Sequence, residues 1–157
     1  VRLVPVETAA QMEAAVAAEA ADSSIVVMAA AVADFRPITR ASGKIKKDAG
    51  LPQVVLEPTP DILAGLGSRK PSGQVLIGFA AETDDLLANA QSKLMRKNLD
   101  LIIANDVSHP GVGFQHDTNA VTIVRRHGEP TIVSLSDKRE IARAVLDAAV
   151  RLLPTHQ

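Results

Sequence analysis

Cysteine is absent from this chain of 157 residues, which removes disulfide frameworks, thiolate metal sites and thiol nucleophiles at once. The four histidines show no ligand spacing that would suggest zinc. Long apolar runs are missing too, since none approaches the ~18 residues needed to cross a bilayer. The opening Val1-Arg2-Leu3-Val4-Pro5 lacks the charged, apolar and small-residue order of a signal peptide. The cytoplasm is therefore the expected compartment, with no membrane partner. A net charge of −1 provides no global basic field, so nucleic acid is not an expected partner and any anion site must be local. No segment matches a Gly-x-x-x-x-Gly-Lys-Ser/Thr phosphate loop or a Gly-x-Gly-x-x-Gly fingerprint, and there is no serine elbow.

What is present reads as one α/β domain. The apolar content of 46% suffices for a single core at this length. Segments dense in Val, Ile and Leu alternate with helix-compatible ones, the pattern of a parallel sheet covered by crossover helices. Thr8 and Gln11 form a capping-box pair that opens a helix over about 9–21. A buried strand is predicted over 24–31, followed by a long polar connection from Val32 to Pro52. A short strand at 53–56 precedes a helix start at Thr59-Pro60-Asp61, with Thr59 as the expected hydroxyl cap. Strand 75–79 leads through Thr83-Asp84-Asp85 into a helix reaching about Lys97, and strand 100–104 ends in Asn105-Asp106. No helix follows it. Two runs, 120–124 and 131–135, predict an antiparallel hairpin, and Asp137 caps a last helix over 138–152.

Ligands of open parallel sheets bind at the carboxyl ends of the strands, so the residues there carry the chemistry. After the first strand, Asp34 suits a ribose hydroxyl or a hydrated cation, or simply closes a turn. Lys44-Ile45-Lys46-Lys47 is a solvated surface run or the tip of a loop that closes over a polyphosphate. Lys93 and Lys97, four apart, share a helix face; they either hold an anion or complement the helix macrodipole. Phe79, one of only three aromatic residues, stacks on a base or fills the core.

Five pieces in register carry a resemblance. Ala29-Ala30-Ala31-Val32-Ala33-Asp34-Phe35-Arg36-Pro37, Lys44-Ile45-Lys46-Lys47, Pro60-Asp61-Ile62-Leu63, Gly78-Phe79-Ala80-Ala81-Glu82-Thr83 and Lys97-Asn98-Leu99-Asp100 with Ala104-Asn105-Asp106 together resemble the phosphopantothenate-cysteine ligase domain. The resemblance implies a Rossmann-like, mostly parallel sheet with flanking helices and a C-terminal antiparallel hairpin. It implies a ligase joining 4'-phosphopantothenate to cysteine in coenzyme A biosynthesis, through an acyl-cytidylate formed with CTP and Mg²⁺. By the same resemblance Met28, Ala29, Ala30, Asp34, Lys44, Pro60, Asp61, Ile62, Leu63, Phe79, Lys93 and Lys97 contact the nucleotide. Asp34 would bind it directly or through Mg²⁺, and Lys44 would be the catalytic cation.

The family also implies a homodimer, with the 120–135 hairpin as the contact, and fusion behind a decarboxylase domain. FMN is expected only in that fused domain, which is absent here. The family opens with a strand, a glycine-rich turn and an asparagine-bearing segment that nothing before Thr8 supplies. Residues 1–157 are thus expected to be a single nucleotide-binding ligase domain lacking the first strand-turn-helix. Two rival readings are a nicotinamide- or flavin-linked oxidoreductase, which would need a glycine-rich pyrophosphate turn, and a non-catalytic nucleotide-binding module, which would need no lysine loop.

Overall fold

Val75 and Ile77 are buried on one side of a strand, and Leu76 and Ala80 on the other, so this segment has no solvated face and must lie inside a sheet covered on both sides. The computed structural model describes residues 1–39, 43, 53–82, 85–106 and 118–154. Its elements run α1 (Ala9–Ala20), β1 (Ile25–Met28), β2 (Phe35–Pro37), β3 (Leu56–Pro58), α2 (Ile62–Arg69), β4 (Val75–Glu82), α3 (Leu86–Arg96), β5 (Leu101–Asp106), β6 (Thr118–Arg125), β7 (Thr131–Asp137) and α4 (Lys138–Val150). Among the described residues five strands form a sheet in the order β1-β4-β5-β6-β7. β1, β4 and β5 are parallel, and β6 and β7 add an antiparallel hairpin, as the sequence predicted.

Each face of the sheet has its own core. On one, Ile62 and Leu66 of α2 and Ala90 and Leu94 of α3 meet Leu76, Ile102 and Val124, with Met12 and Val16 of α1 packed at the margin. On the other, Ile141, Val145, Ala148 and Ala149 of α4 cover Val75, Ile77, Leu101, Ile103 and Ile123. The caps explain where the first and last helices start. Gln11 N–H donates to Thr8 Oγ1 at 3.2 Å while Thr8 N–H donates back to Gln11 Oε1 at 3.0 Å, and Asp137 accepts from Arg139 and Glu140 N–H, each at 2.8 Å. Buried Gln74 closes the far end of α1 by donating to Ala20 O at 2.6 Å and Ser23 O at 2.7 Å.

At the amino ends of the two central strands, Leu76 and Asp100 are joined twice. Asp100 N–H donates to Leu76 O at 2.9 Å, and Leu76 N–H donates to Asp100 Oδ2 at 2.7 Å. Lys70 Nζ reaches both oxygens of the same carboxylate at 2.7 Å, so the aspartate is neutralised where it is half-buried.

Several expectations need correction. β1 is shorter than predicted and is not fully buried: Val27 is 41% exposed, because β1 is the sheet's edge. Beside it an apolar groove of about 400 Å³ opens between β1 and α1, lined by Val4, Met12, Val16 and Val26. Phe35-Arg36-Pro37 is a strand rather than part of a loop, and its partner is Leu56–Pro58 rather than 53–56. Asp61, not Thr59, caps α2: its Oδ1 accepts from Ala64 N–H at 3.0 Å. Asp85 precedes α3 in the left-handed region at φ 43° and makes no side-chain cap, while Thr83 and Asp84 lie outside the described residues. α4 stops at Val150, leaving Leu152 43% exposed instead of on the buried face. No helix among the described residues is long and apolar enough to cross a membrane.

Candidate functional site

The exit of β1 is built from small side chains, Ala29 to Ala31, and the backbone there is open to solvent. Thr59 folds the next segment back onto it. Thr59 N–H donates to Asp34 O at 2.8 Å and its hydroxyl donates to Ala33 O, so the approach to α2 is laced to the strand exit. The β2–β3 pair, with an Arg36–Glu57 ion pair at 2.7 Å, continues this lacing outward.

Two adjoining cavities result, of about 750 and 190 Å³, and they share Ala30, Val32, Asp34 and Phe79 as common walls. The larger is bounded by Ala29, Lys93 and Asn105 and by the α4 face from Lys138 to Val145. The smaller lies at the N-terminus of α2, among Met28, Pro60, Asp61, Ile62, Leu63 and Lys97. Every predicted nucleotide-contact residue within the described set therefore lines this double cavity. Lys44, the predicted catalytic cation, lies outside the described residues.

The charges are arranged differently from the expectation. α3 ends at Arg96, and Lys97 is its C-cap at φ −96°, with its N–H donating to Lys93 O at 3.0 Å. The two lysines are one helical turn apart, yet they line different lobes: Lys93 borders the larger cavity and Lys97 the smaller. Lys97 Nζ lies 3.0 Å from Asp61 Oδ1 and 2.9 Å from Oδ2. Partial burial alone would raise the Asp61 pKa. It is outweighed by the Lys97 hydrogen bond, the Ala64 N–H and the charges of Lys97 and Arg96, which hold the carboxyl below its ordinary range. The cation predicted for an anion is thus already compensated by a carboxylate at the mouth of the cavity.

Phe79 was expected at a strand end. β4 continues to Glu82, so Phe79 sits inside the strand opposite Ile103, packs against the α4-side core and still forms a wall of both cavities. It fills core and faces ligand space at once. α2 comes close to α3 below this point: a Cβ at Gly67 would stand 1.8 Å from Lys97 O, so only glycine permits the approach.

Two cavity residues escaped the sequence reading. Asn105 Oδ1 is buried with no hydrogen-bond partner among the described residues, and the residue forms part of the wall of the larger cavity. Its signal is its place in Ala104-Asn105-Asp106 at a strand's carboxyl end. Lys138 had no local signal, since only the packing of α4 over the sheet brings it to the cavity.

The chain matches, over residues 1–152, the family described as the DNA/pantothenate metabolism flavoprotein C-terminal domain. Among curated proteins, it is 41% identical over 153 residues to a cysteine/cysteine sulfinic acid decarboxylase from an unknown prokaryotic organism, covering 98% of this chain and 43% of that protein. It is 44% identical over 149 residues to the coenzyme A biosynthesis bifunctional protein CoaBC of Bacillus subtilis, covering 95% of this chain and 36% of that protein. The chain thus spans well under half the length of these relatives. Among solved structures, the C-terminal domain of a CoaBC protein superposes with a TM-score of 0.74 at 37% identity, over 92% of this chain and 62% of that one. A Cab2 mutant in complex with phosphopantothenate-cysteine gives 0.72 at 25% identity, over 96% and 53%.

Proposed function

Because the chain belongs to the DNA/pantothenate metabolism flavoprotein C-terminal domain family, we propose that it carries the ligase step joining 4'-phosphopantothenate to cysteine in coenzyme A biosynthesis, with CTP as activator and the cytoplasm as its compartment. The double cavity supports this most: it brings Met28, Ala30, Asp34, Phe79, Lys93 and Lys97, drawn from distant parts of the sequence, around one space.

The reaction consists of two displacements. A carboxylate oxygen of 4'-phosphopantothenate bonds to the α-phosphorus of CTP, the bond to the bridging oxygen breaks, and pyrophosphate leaves with the electron pair. The amine of cysteine then bonds to the acyl carbon of the acyl-cytidylate, CMP departs, and the nitrogen gives up a proton. The small side chains of Ala29 and Ala30, next to Met28, let the nucleotide approach the backbone. The α2 N-terminus offers the N–H groups of Ile62 and Leu63 to a phosphate, with Pro60 and Asp61 lining the same lobe. Lys93 and Lys97 supply positive charge from the two lobes, and Phe79 packs on base or ribose. Asn105, whose oxygen has no partner among the described residues, would offer an acceptor to a donor such as the cytosine amino group. From the resemblance, Lys44 stabilises charge on the reacting phosphate.

Among the described residues no group of three or more His, Asp or Glu is placed to hold a metal unaided. Mg²⁺ entering with the nucleotide would be held at Asp34, which lines both cavities. Bound there, it supplies charge neutralisation. A homodimer would use the hairpin, where edge strand β7 exposes Ile132 and Leu135. The N-terminal partner would be a decarboxylase domain with its own FMN. Thermal unfolding with CTP or ATP, each with and without Mg²⁺, tests the reading, because a ligand that binds only the folded state raises its stability. A rise greatest with Mg-CTP is expected; no rise with any nucleotide refutes it.

A further inference from the structure

We propose that Asn98 is a positioning residue for Lys97: its side chain locks the end of α3 onto α2, so that the Lys97 ammonium is delivered into the smaller cavity beside Asp61. The proposal rests on reading that cavity as a phosphate site.

Asn98 follows the α3 cap in the left-handed conformation at φ 53°, where asparagine is among the few side chains tolerated. Exposed as it is, it uses both ends of its amide. Nδ2 donates to Gly67 O of α2 at 2.8 Å, and Oδ1 accepts from Arg126 Nη2 at 2.8 Å. The same guanidinium nitrogen donates to Leu99 O at 2.9 Å. One exposed side chain thereby joins α2, the end of α3 and the end of β6. The peptide that it anchors is the one whose carbonyl, Lys97 O, lies against Gly67. With its backbone clamped, the Lys97 side chain is only 20% exposed and ends at the Asp61 carboxylate, at the mouth of the helix N-terminus. A lysine free to choose rotamers would spread over solvent. Held in this way, it gives up little further side-chain entropy when a phosphate arrives.

The test is Asn98→Gly, which keeps the positive φ and deletes both side-chain hydrogen bonds, made alone and together with Lys97→Ala. CTP affinity is measured by titration calorimetry, and the Asp61 carboxyl is titrated by NMR. Asn98→Gly is expected to weaken CTP binding by roughly 3- to 10-fold on its own and to add nothing in the Lys97→Ala background. The Asp61 titration should move upward in Asn98→Gly, toward its position in Lys97→Ala. A merely structural role would weaken CTP equally in both backgrounds or leave Asp61 unmoved, and each result overturns the proposal. A shifted Asp61 in a protein that binds no CTP in any form would uphold the positioning of Lys97 and overturn the nucleotide reading alone. Should Asn98→Gly not fold, Asn98→Asp keeps the acceptor for Arg126, loses the donor to Gly67, and is read by the same two measurements.

Discussion

Helix α2 contains two glycines in different surroundings and with opposite consequences, which makes Gly67→Ala paired with Gly65→Ala a decisive perturbation. A Cβ at Gly65 would meet only Arg69 Nη2 of its own helix, at 3.5 Å. That variant should gain the ordinary helix-propensity difference of ~0.8–1.0 kcal/mol. At Gly67 the same Cβ would lie 1.8 Å from Lys97 O and 2.9 Å from Lys97 C. Ordinary contact begins at 3.4 Å, so the helices must part by about 1.6 Å at this point. The obstacle is backbone, which cannot swing aside as a side chain would. The cost therefore falls at the upper end of the ~1–3 kcal/mol range for overpacking. Less the propensity gain, the net loss is about 2 kcal/mol, or a Tm lowered by about 4–8 °C for a domain of this size. Thermal and urea unfolding monitored by circular dichroism read both variants. If Gly67→Ala matches the wild type, or if the two variants shift together, the close approach of α2 and α3 is wrong.

The remaining predictions concern the site. In the complete enzyme, Lys44→Gln should lower pyrophosphate release, measured with phosphopantothenate and CTP before cysteine is added, by ~10²–10³-fold while nucleotide binding changes far less; near-normal release removes Lys44 from catalysis. Asn105→Ala removes an unpartnered buried oxygen, so it should weaken CTP binding by ~0.5–1.5 kcal/mol with almost no loss of Tm; calorimetry and melting that fall together would indicate a structural asparagine instead. The Asp61 carboxyl is held below its ordinary value in the folded chain, so its stabilising contribution is complete above the unfolded value of ~3.9 and lost as pH falls through the folded value. Asp61→Asn, which retains a capping side chain, should accordingly lose less stability than the wild type as urea midpoints are followed from pH 5 to pH 2.5; parallel curves would mean the Lys97 pair does not influence folding.

Capping signals at Thr8 and Asp137 and the apolar strands at 75–79 and 100–104 were legible because local chemistry specifies them: a side chain and its cap partner lie within three residues of each other. The helix start before Ile62 was located but its cap was assigned to Thr59, whose hydroxyl is diverted to Ala33 O, twenty-six residues away. That contact has no local trace. The residues named by the resemblance line adjoining cavities, yet the Lys97–Asp61 pair was invisible to it, since it depends on how α3 lies across α2. Lys138 shows the reverse error. At a helix start it carries no local sign of a site, and it reaches the cavity only because α4 returns over the sheet. Asn105 reads in the sequence as a strand end, and only burial shows that its oxygen has no partner among the described residues.

The double bond between Leu76 and Asp100 has a consequence at the opposite end of the molecule. β4 and β5 are parallel and apolar through their first halves, Val75–Ile77 and Leu101–Ile103, so little in those side chains distinguishes one alignment from the next, yet a one-residue slip would turn every side chain to the other face. Leu76 opposite Asp100 works as an alignment key, because no neighbouring residue offers both a backbone pair and a carboxylate neutralised by Lys70. Phe79 and Asn105 inherit their places from that key, three and five residues further along. Their aim into the cavity is thus decided where the strands begin, on the side of the sheet that meets no ligand. A chain altered at Asp100 would be expected to fail first in the fidelity of its cavity, before it failed in compactness.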